Sequence, residues 1–171
     1  RLYRNEGGRR FTDVTEAAGL DGIGRASVGL FGDMDNDGHE DLVVVRYMAP
    51  VLFFHNQGDG TFVDRSAAMG LDFVVPAVSA CLLDYDRDGF LDLYLAAYGN
   101  AFEAIPRLFF FAQNGEANRL LHNEGGHRFV DVTQESGTGD TGWSLAVAAG
   151  DYDGDGYPDL ISANDFGRKN L

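Results

Sequence analysis

The pattern DxDxDGxxDL occurs three times, at residues 33–42, 84–93 and 151–160. A second pattern, N-[EQ]-G-[DG]-x-x-F-x-D, begins at Asn5, Asn56 and Asn123 and carries Phe11, Phe62 and Phe129. Both recur with the same two offsets, 51 and then 67 residues. Shared offsets mean one duplicated unit, so the fold must be assembled from like supersecondary pieces stacked on one another. In the first repeat Asn56 follows Asp41 by 15 positions, and in the second Asn123 follows Asp92 by 31. The excess of 16 residues is an insertion at about 99–118 of a single segment 1–171 with units near 1–51, 52–118 and 119–169.

Within a unit the residue choice spells four short strands. ASVGLFG leads into the acidic loop, DLVVVRY leaves it, VLFFHN follows, and TFVDRS closes the unit after a Gly-rich turn. Runs of Val, Phe, Tyr and Thr bounded by Asn, Asp and Gly are strand and hairpin signals. The six-residue TEAAGL, SAAMGL and TQESGT are too short for more than a turn or one helical turn. Four antiparallel strands every 40 to 50 residues predict an all-β fold built of β-propeller blades, about three of them. A solenoid is the second choice.

The acidic loops carry the chemistry. Each brings four aspartates and one backbone carbonyl toward one centre: Asp33, Asp35, Asp37, Asp41 and His39; Asp84, Asp86, Asp88, Asp92 and Phe90; Asp151, Asp153, Asp155, Asp159 and Tyr157. Gathered without a cation, these carboxylates repel one another. Hard oxygen donors in this number suit Ca²⁺, which takes about 6 to 8 of them in flexible geometry; Mg²⁺ keeps more water. The sequence therefore predicts about three calcium ions. An EF-hand is excluded, because position 12 is Val44, Leu95 or Ser162 instead of a bidentate acid, and no helical pattern flanks a loop.

Composition removes whole classes of function. A formal charge of −14, with 27 acidic against 13 basic residues, opposes binding to nucleic acid. The longest nearly uncharged apolar stretch, FVVPAVSACLL, is shorter than the roughly 18 residues of a membrane-crossing helix. Cys81 is the single cysteine, which rules out an internal disulfide and thiolate zinc clusters.

The joined motifs, DxDxDGxxDL with the Asn-Gly-Phe-Asp turn, resemble the FG-GAP or VCBS type repeats of integrin α-subunit propellers and their bacterial relatives. LYRNEGGRRFTDVTEAAGL is similar to the repeats of ASPIC/UnbV-like secreted proteins. The resemblance implies that the acidic loop joins the first two strands of a blade and binds calcium. It also implies a home outside the cell, secreted or at a surface or in a periplasm. An adhesion or binding role toward a glycan or protein partner goes with it.

Three blades are too few to close a ring, since propellers use about 4 to 8. The expectation is a fragment of a longer propeller, or two copies closing one ring as a homo-oligomer. An up-and-down meander puts the insertion at the end opposite the acidic loops. There Phe102, Phe109, Phe110, Phe111 and Trp143 are candidate ligand-binding rings, against the alternative that they only pack the insertion onto its own blade. His55 and His122 occupy a repeat position filled elsewhere by Arg4, which assigns them to a strand surface. The chain lacks GxSxG, HExxH and P-loop signatures, so no catalytic residue is assigned. The rival readings are a calcium-dependent polysaccharide lyase or hydrolase, and a purely structural repeat forming oligomers or fibres.

Overall fold

The computed structural model describes residues 1–100, 106 and 112–165. Thirteen strands are defined among them: β1 (Tyr3–Asn5), β2 (Phe11–Asp13), β3 (Val28–Gly32), β4 (Asp41–Val45), β5 (Tyr47–Pro50), β6 (Leu52–Asn56), β7 (Phe62–Asp64), β8 (Val74–Leu83), β9 (Asp92–Ala97), β10 (Arg119–Asn123), β11 (Phe129–Asp131), β12 (Ser144–Gly150) and β13 (Asp159–Asn164). The one helical turn, α1 (Thr133–Ser136), falls where TQESGT predicts a turn and ends on Gly137 in the left-handed region.

Every strand pair is antiparallel. The sheets are ordered β1-β2, β3-β4-β6-β7, β11-β10-β9-β8-β5 and β12-β13. The second follows the predicted four strands, with Phe31 opposite Leu42 and Phe54 opposite Asp64. The third differs by one strand. β8 runs ten residues, and its first three, Val74 to Pro76, outreach β9 to pair with β5, where Tyr47 faces Pro76 across a bulge at Met48. Met48 adopts φ +55, the left-handed region a bulge residue uses to re-aim its strand. The sequence pattern places only a connection between DLVVVRY and VLFFHN and does not show β5.

The sheets stack face to face, and strand periodicity explains how. Along β4 all five residues are buried, alternating between two layers: Val43 and Val45 point to one, Leu42 and Val44 to the other. The first layer, between the β3-β4-β6-β7 and five-stranded sheets, is filled by Phe53, Met69, Leu71, Val75, Leu93, Leu95 and Leu121 among others. The second holds Leu42, Val44 and Phe54 with Ala18 and Leu20. A third layer, between the five-stranded sheet and β12-β13, contains Leu83, Tyr94 and Leu120, with Leu160 against it. A strand apolar on both faces belongs between two neighbours, and β4 and β9 read that way. The leucine that ends each acidic motif, Leu42, Leu93 or Leu160, enters the layer toward the preceding sheet. This serial, face-on arrangement is a propeller-like all-β fold.

Backbone clasps lock one sheet to the next. The turn after β2 accepts the amide of Phe62 on the Ala18 carbonyl, and the turn after β7 accepts the amide of Phe129 on Met69, at 3.0 and 2.9 Å. Those turns carry Gly19 and Gly70 at φ +74 and +72, so close to the clasped carbonyls of Phe62 and Phe129 that a Cβ would sit 3.1 or 3.2 Å away.

Of the candidate ligand-binding rings, Phe102, Phe109, Phe110 and Phe111 lie outside the described residues. Trp143 is 1% exposed and packs edge-on to Tyr98, with ring centroids 5.1 Å apart. Its indole N–H donates to Asn114 Oδ1 at 3.4 Å, and its ring fills the space beside Gly99. Trp143 is therefore a core ring and offers no face to a ligand. Burial of its large apolar surface outweighs exposure at a rim.

Candidate metal centres

The three acidic loops connect β3 to β4, β8 to β9 and β12 to β13, and they share one backbone solution. In the first, Asp33 accepts the amides of Asp37 and Gly38 at 3.1 and 2.9 Å, and Asp37 accepts that of His39 at 2.8 Å. In the second, Asp84 accepts Gly89 at 3.1 Å, Asp86 accepts Asp88 at 3.2 Å, and Asp88 accepts Phe90 at 2.9 Å. In the third, Asp151 accepts Gly154 and Gly156 at 2.7 and 2.9 Å, and Asp155 accepts Tyr157 at 2.8 Å. The sixth residue is glycine each time because it must take φ near +90: +90 at Gly38, +92 at Gly89 and +89 at Gly156. The fourth position is also left-handed, filled by Asn36, Arg87 and Gly154.

The last aspartate of each loop anchors it to the sheet. Asp41 is fully buried and accepts the amides of Met34 (3.2 Å) and Asn56 (2.9 Å). Asp92, equally buried, accepts those of Tyr85 (3.0 Å) and Asn123 (2.8 Å). Asp159, half-buried, accepts Tyr152 at 3.0 Å. Burial pushes the Asp41 and Asp92 carboxyls above the usual carboxylate range, and those amide bonds pull back only part of the way.

Carboxylate oxygens converge at all three loops. Asp33, Asp35 and Asp41 bring ligand atoms within 4.8 Å of one another, as do Asp84, Asp86 and Asp88, and Asp151, Asp153 and Asp159. Asp35 Oδ1 and Asp84 Oδ1 are enclosed and have no hydrogen-bond partner. An enclosed carboxylate oxygen without a donor is costly unless a cation meets it. The residues present thus fit a hard cation, on the chemistry of the donor set and on those two orphaned oxygens.

The histidines overturn one expectation. His55 and His122 are not at a strand surface: their side chains are 12% and 21% exposed and turn into the first and second loops. His55 Nδ1 stands 3.2 Å from Asp41 Oδ1 and 3.3 Å from Asp35 Oδ2, and His122 Nδ1 stands 3.1 Å from Asp92 Oδ1. The reason is register. Each histidine precedes the asparagine whose amide binds the loop's last aspartate, so its ring is delivered to the same place. The signal was available in the shared offset of the two motifs, which puts one beside the other in every blade.

The loops also touch each other. Asn123, fully buried, donates from Nδ2 to the carbonyls of Met34 (2.8 Å) and Leu91 (3.1 Å), one in each of two loops, and accepts the Gly126 amide at 2.9 Å. Asn36 of the first loop donates to Gly89 O of the second at 3.0 Å. The Arg87 guanidinium of the second lies over the Tyr157 ring of the third, 5.1 Å from its centre. Gly126 presses on the first loop so closely that a Cβ would lie 2.7 Å from Asp35 Cα. Gly126→Ala should therefore cost upward of about 2 kcal/mol and displace the first loop. Gly125→Ala, at φ +63 but in open space, should cost only about 1 kcal/mol. Equal denaturation midpoints for the two variants would contradict the close approach.

An FG-GAP-like repeat model matches residues 33–95 and 108–162, which is more than half of the chain. Cartilage acidic protein 1 of Xenopus tropicalis is 30% identical over 125 residues, covering 72% of this chain and 17% of the frog protein. The proteins of that name from Mus musculus and Homo sapiens are each 33% identical over 89 residues, covering 52% of this chain and 13% of theirs. The matched stretch is thus less than a fifth of the length of these relatives.

Proposed function

This chain belongs to the FG-GAP-like repeat family, and from that premise we propose that it is a calcium-stabilised segment of an extracellular β-propeller that binds a glycan or protein partner. On this reading the repeat units are 1–51, 52–118 and 119–169, each boundary falling inside a blade, and one Ca²⁺ is held by each acidic loop. Asp33, Asp35, Asp37 and Asp41 with the His39 carbonyl form the first ligand set. Asp84, Asp86, Asp88 and Asp92 with Phe90 form the second, and Asp151, Asp153, Asp155 and Asp159 with Tyr157 form the third.

One observation supports this most. Three loops hold converging carboxylates and share three hydrogen bonds: the glycine amide to the first aspartate, the seventh-position amide to the fifth-position aspartate, and the second-position amide to the last aspartate; two of the carboxylate oxygens are enclosed without a partner. Bound Ca²⁺ supplies positive charge, and the chain's part is to fix the acidic turns at the mouths of the β-hairpins. Loops without helices flanking them have no sensor architecture, and such sites suit the millimolar calcium found outside cells. The relatives' name places them in cartilage, in keeping with such a location. Among the described residues no helix is long and apolar enough to cross a membrane.

Native mass spectrometry in millimolar calcium should show three Ca²⁺ per chain. A polysaccharide and matrix-protein array, read with and without calcium, should then give retained ligand and no depolymerised product. Absence of bound ions would overturn the calcium assignment, and turnover of a polysaccharide would replace the binding role with a catalytic one.

A further inference from the structure

The fourth residue of one acidic loop reaches the sixth or seventh residue of the next, and it does so twice. Asn36 Nδ2 of the first loop donates to the Gly89 carbonyl of the second at 3.0 Å. Arg87, one loop further on, lays its guanidinium 5.1 Å from the centre of the Tyr157 ring, and a Cβ on Gly156 would lie 3.3 Å from its Nη1. Both side chains leave the backbone at a left-handed residue, φ +59 and +64, with an aspartate of the loop on either side. Their targets adjoin or include Phe90 and Tyr157, whose carbonyls belong to the proposed ligand sets.

A second link between the first two loops is buried. Asn123 Nδ2 donates to the carbonyls of Met34, at the entry of the first loop, and of Leu91, at the exit of the second. Its backbone N–H donates to Asp92 Oδ1, and the glycine whose amide its Oδ1 accepts, Gly126, lies against Asp35. One residue thereby holds fixed points in both loops.

We infer that the cation sites of neighbouring loops are coupled, so that filling one raises the affinity of the next. The inference rests on the reading of these loops as cation sites. A loop of four carboxylates is driven open by their repulsion, and a cation holds it closed. Asn36 stands opposite Gly89, and Asp35 against Gly126, only when the first loop keeps its closed turn. The second loop then closes onto partners already in place and loses less freedom in doing so. Charge alone works the other way, since a loop that has taken a cation attracts the next one to its neighbour less strongly. Salt screens that long-range opposition and leaves the direct contacts.

The amides of Gly38, Gly89 and Gly156 each donate to the first aspartate of their own loop, so their nitrogen–proton NMR signals read the three occupancies separately. The test is a Ca²⁺ titration of the chelator-stripped chain in about 0.5 M NaCl, where charges beyond a few ångströms are screened. The Gly38 and Gly89 curves should rise together with a Hill slope of about 1.5 or more. Asn36→Gly removes the donor but keeps the left-handed backbone, as the native Gly154 does in the third loop. It should flatten both curves and move the Gly89 midpoint to about 3- to 10-fold higher calcium. Arg87→Gly should do the same between Gly89 and Gly156. Asp37→Asn, which weakens the first loop, should raise the Gly89 midpoint as well, and Asp88→Asn the Gly38 midpoint, because coupling is reciprocal. An unshifted Trp143 indole signal reports that each variant is folded. Slopes of 1 for both curves in the unaltered chain, or a Gly89 midpoint indifferent to both Asn36→Gly and Asp37→Asn, would overturn the inference alone. Glycine signals that ignore calcium altogether would remove the cation reading of the loops as well.

Discussion

Removing divalent ions with EDTA is expected to lower the melting temperature by upward of about 10 °C relative to the same chain in 10 mM Ca²⁺. The size follows from mass action. Sites with dissociation constants of about 0.1–1 mM, usual for extracellular modules, each contribute about 1.4–2.7 kcal/mol at that concentration, or about 4–8 kcal/mol for three. In a chain of this size each kcal/mol is worth roughly 2–4 °C. Ca²⁺ should restore the loss better than Mg²⁺, because four carboxylates in one loop leave little room for the water Mg²⁺ retains. Identical melting in EDTA and in calcium would remove the stabilising role of the loops.

Acidification adds a sign to the same experiment. Burial raises Asp41 and Asp92 above their unfolded-state values, so in the chelated chain these two carboxylates destabilise the fold fully at neutral pH. Their penalty is relieved as pH falls through the raised folded-state range, where they protonate. Mild acid should therefore narrow the gap between chelated and calcium-loaded protein. A gap that widens on acidification would contradict that assignment.

The second large effect is expected at Asn123. Asn123→Ala leaves the Met34 and Leu91 carbonyls and the Gly126 amide without their donors or acceptor inside the protein. Each such loss costs about 1–3 kcal/mol, giving about 3–5 kcal/mol in all once relaxation is allowed for. The repeat supplies its own controls. Asn56 uses the same atoms at a half-buried place, donating to the Glu40 carbonyl at 2.9 Å and accepting the Gly58 amide at 3.0 Å. Asn5 is exposed and only accepts the Gly7 amide. Urea midpoints for the three alanine variants should fall in the order Asn123, then Asn56, then Asn5, largest loss first. Equal losses would mean that the bridge between loops carries no special energy.

Much of this was legible in the residues, because repetition supplies its own alignment. Shared offsets of Asp33, Asp84 and Asp151 with Asn5, Asn56 and Asn123 locate the hairpins, and the alternation through Leu42, Val43, Val44 and Val45 marks a strand covered on both sides. That each loop gathers aspartates could be read from the spacing and from the glycine at the sixth position. What escaped depends on contacts far apart in the chain. Strand β5 exists because β8 is longer than its partner β9, a mismatch visible only after pairing. Trp143 looked like a rim aromatic until Tyr98 and Asn114 closed over it. His55 and His122 were misplaced because a lone polar residue in a strand says nothing about which side of the pleat its neighbour's loop approaches.

The clasps from the Ala18 carbonyl to Phe62 and from Met69 to Phe129 carry a consequence for how such a molecule tolerates load and growth. Each ties an element to its successor alone, so force applied along the series is passed from link to link as in a chain. Whole links can be added or lost by gene duplication without redesign of those that stay.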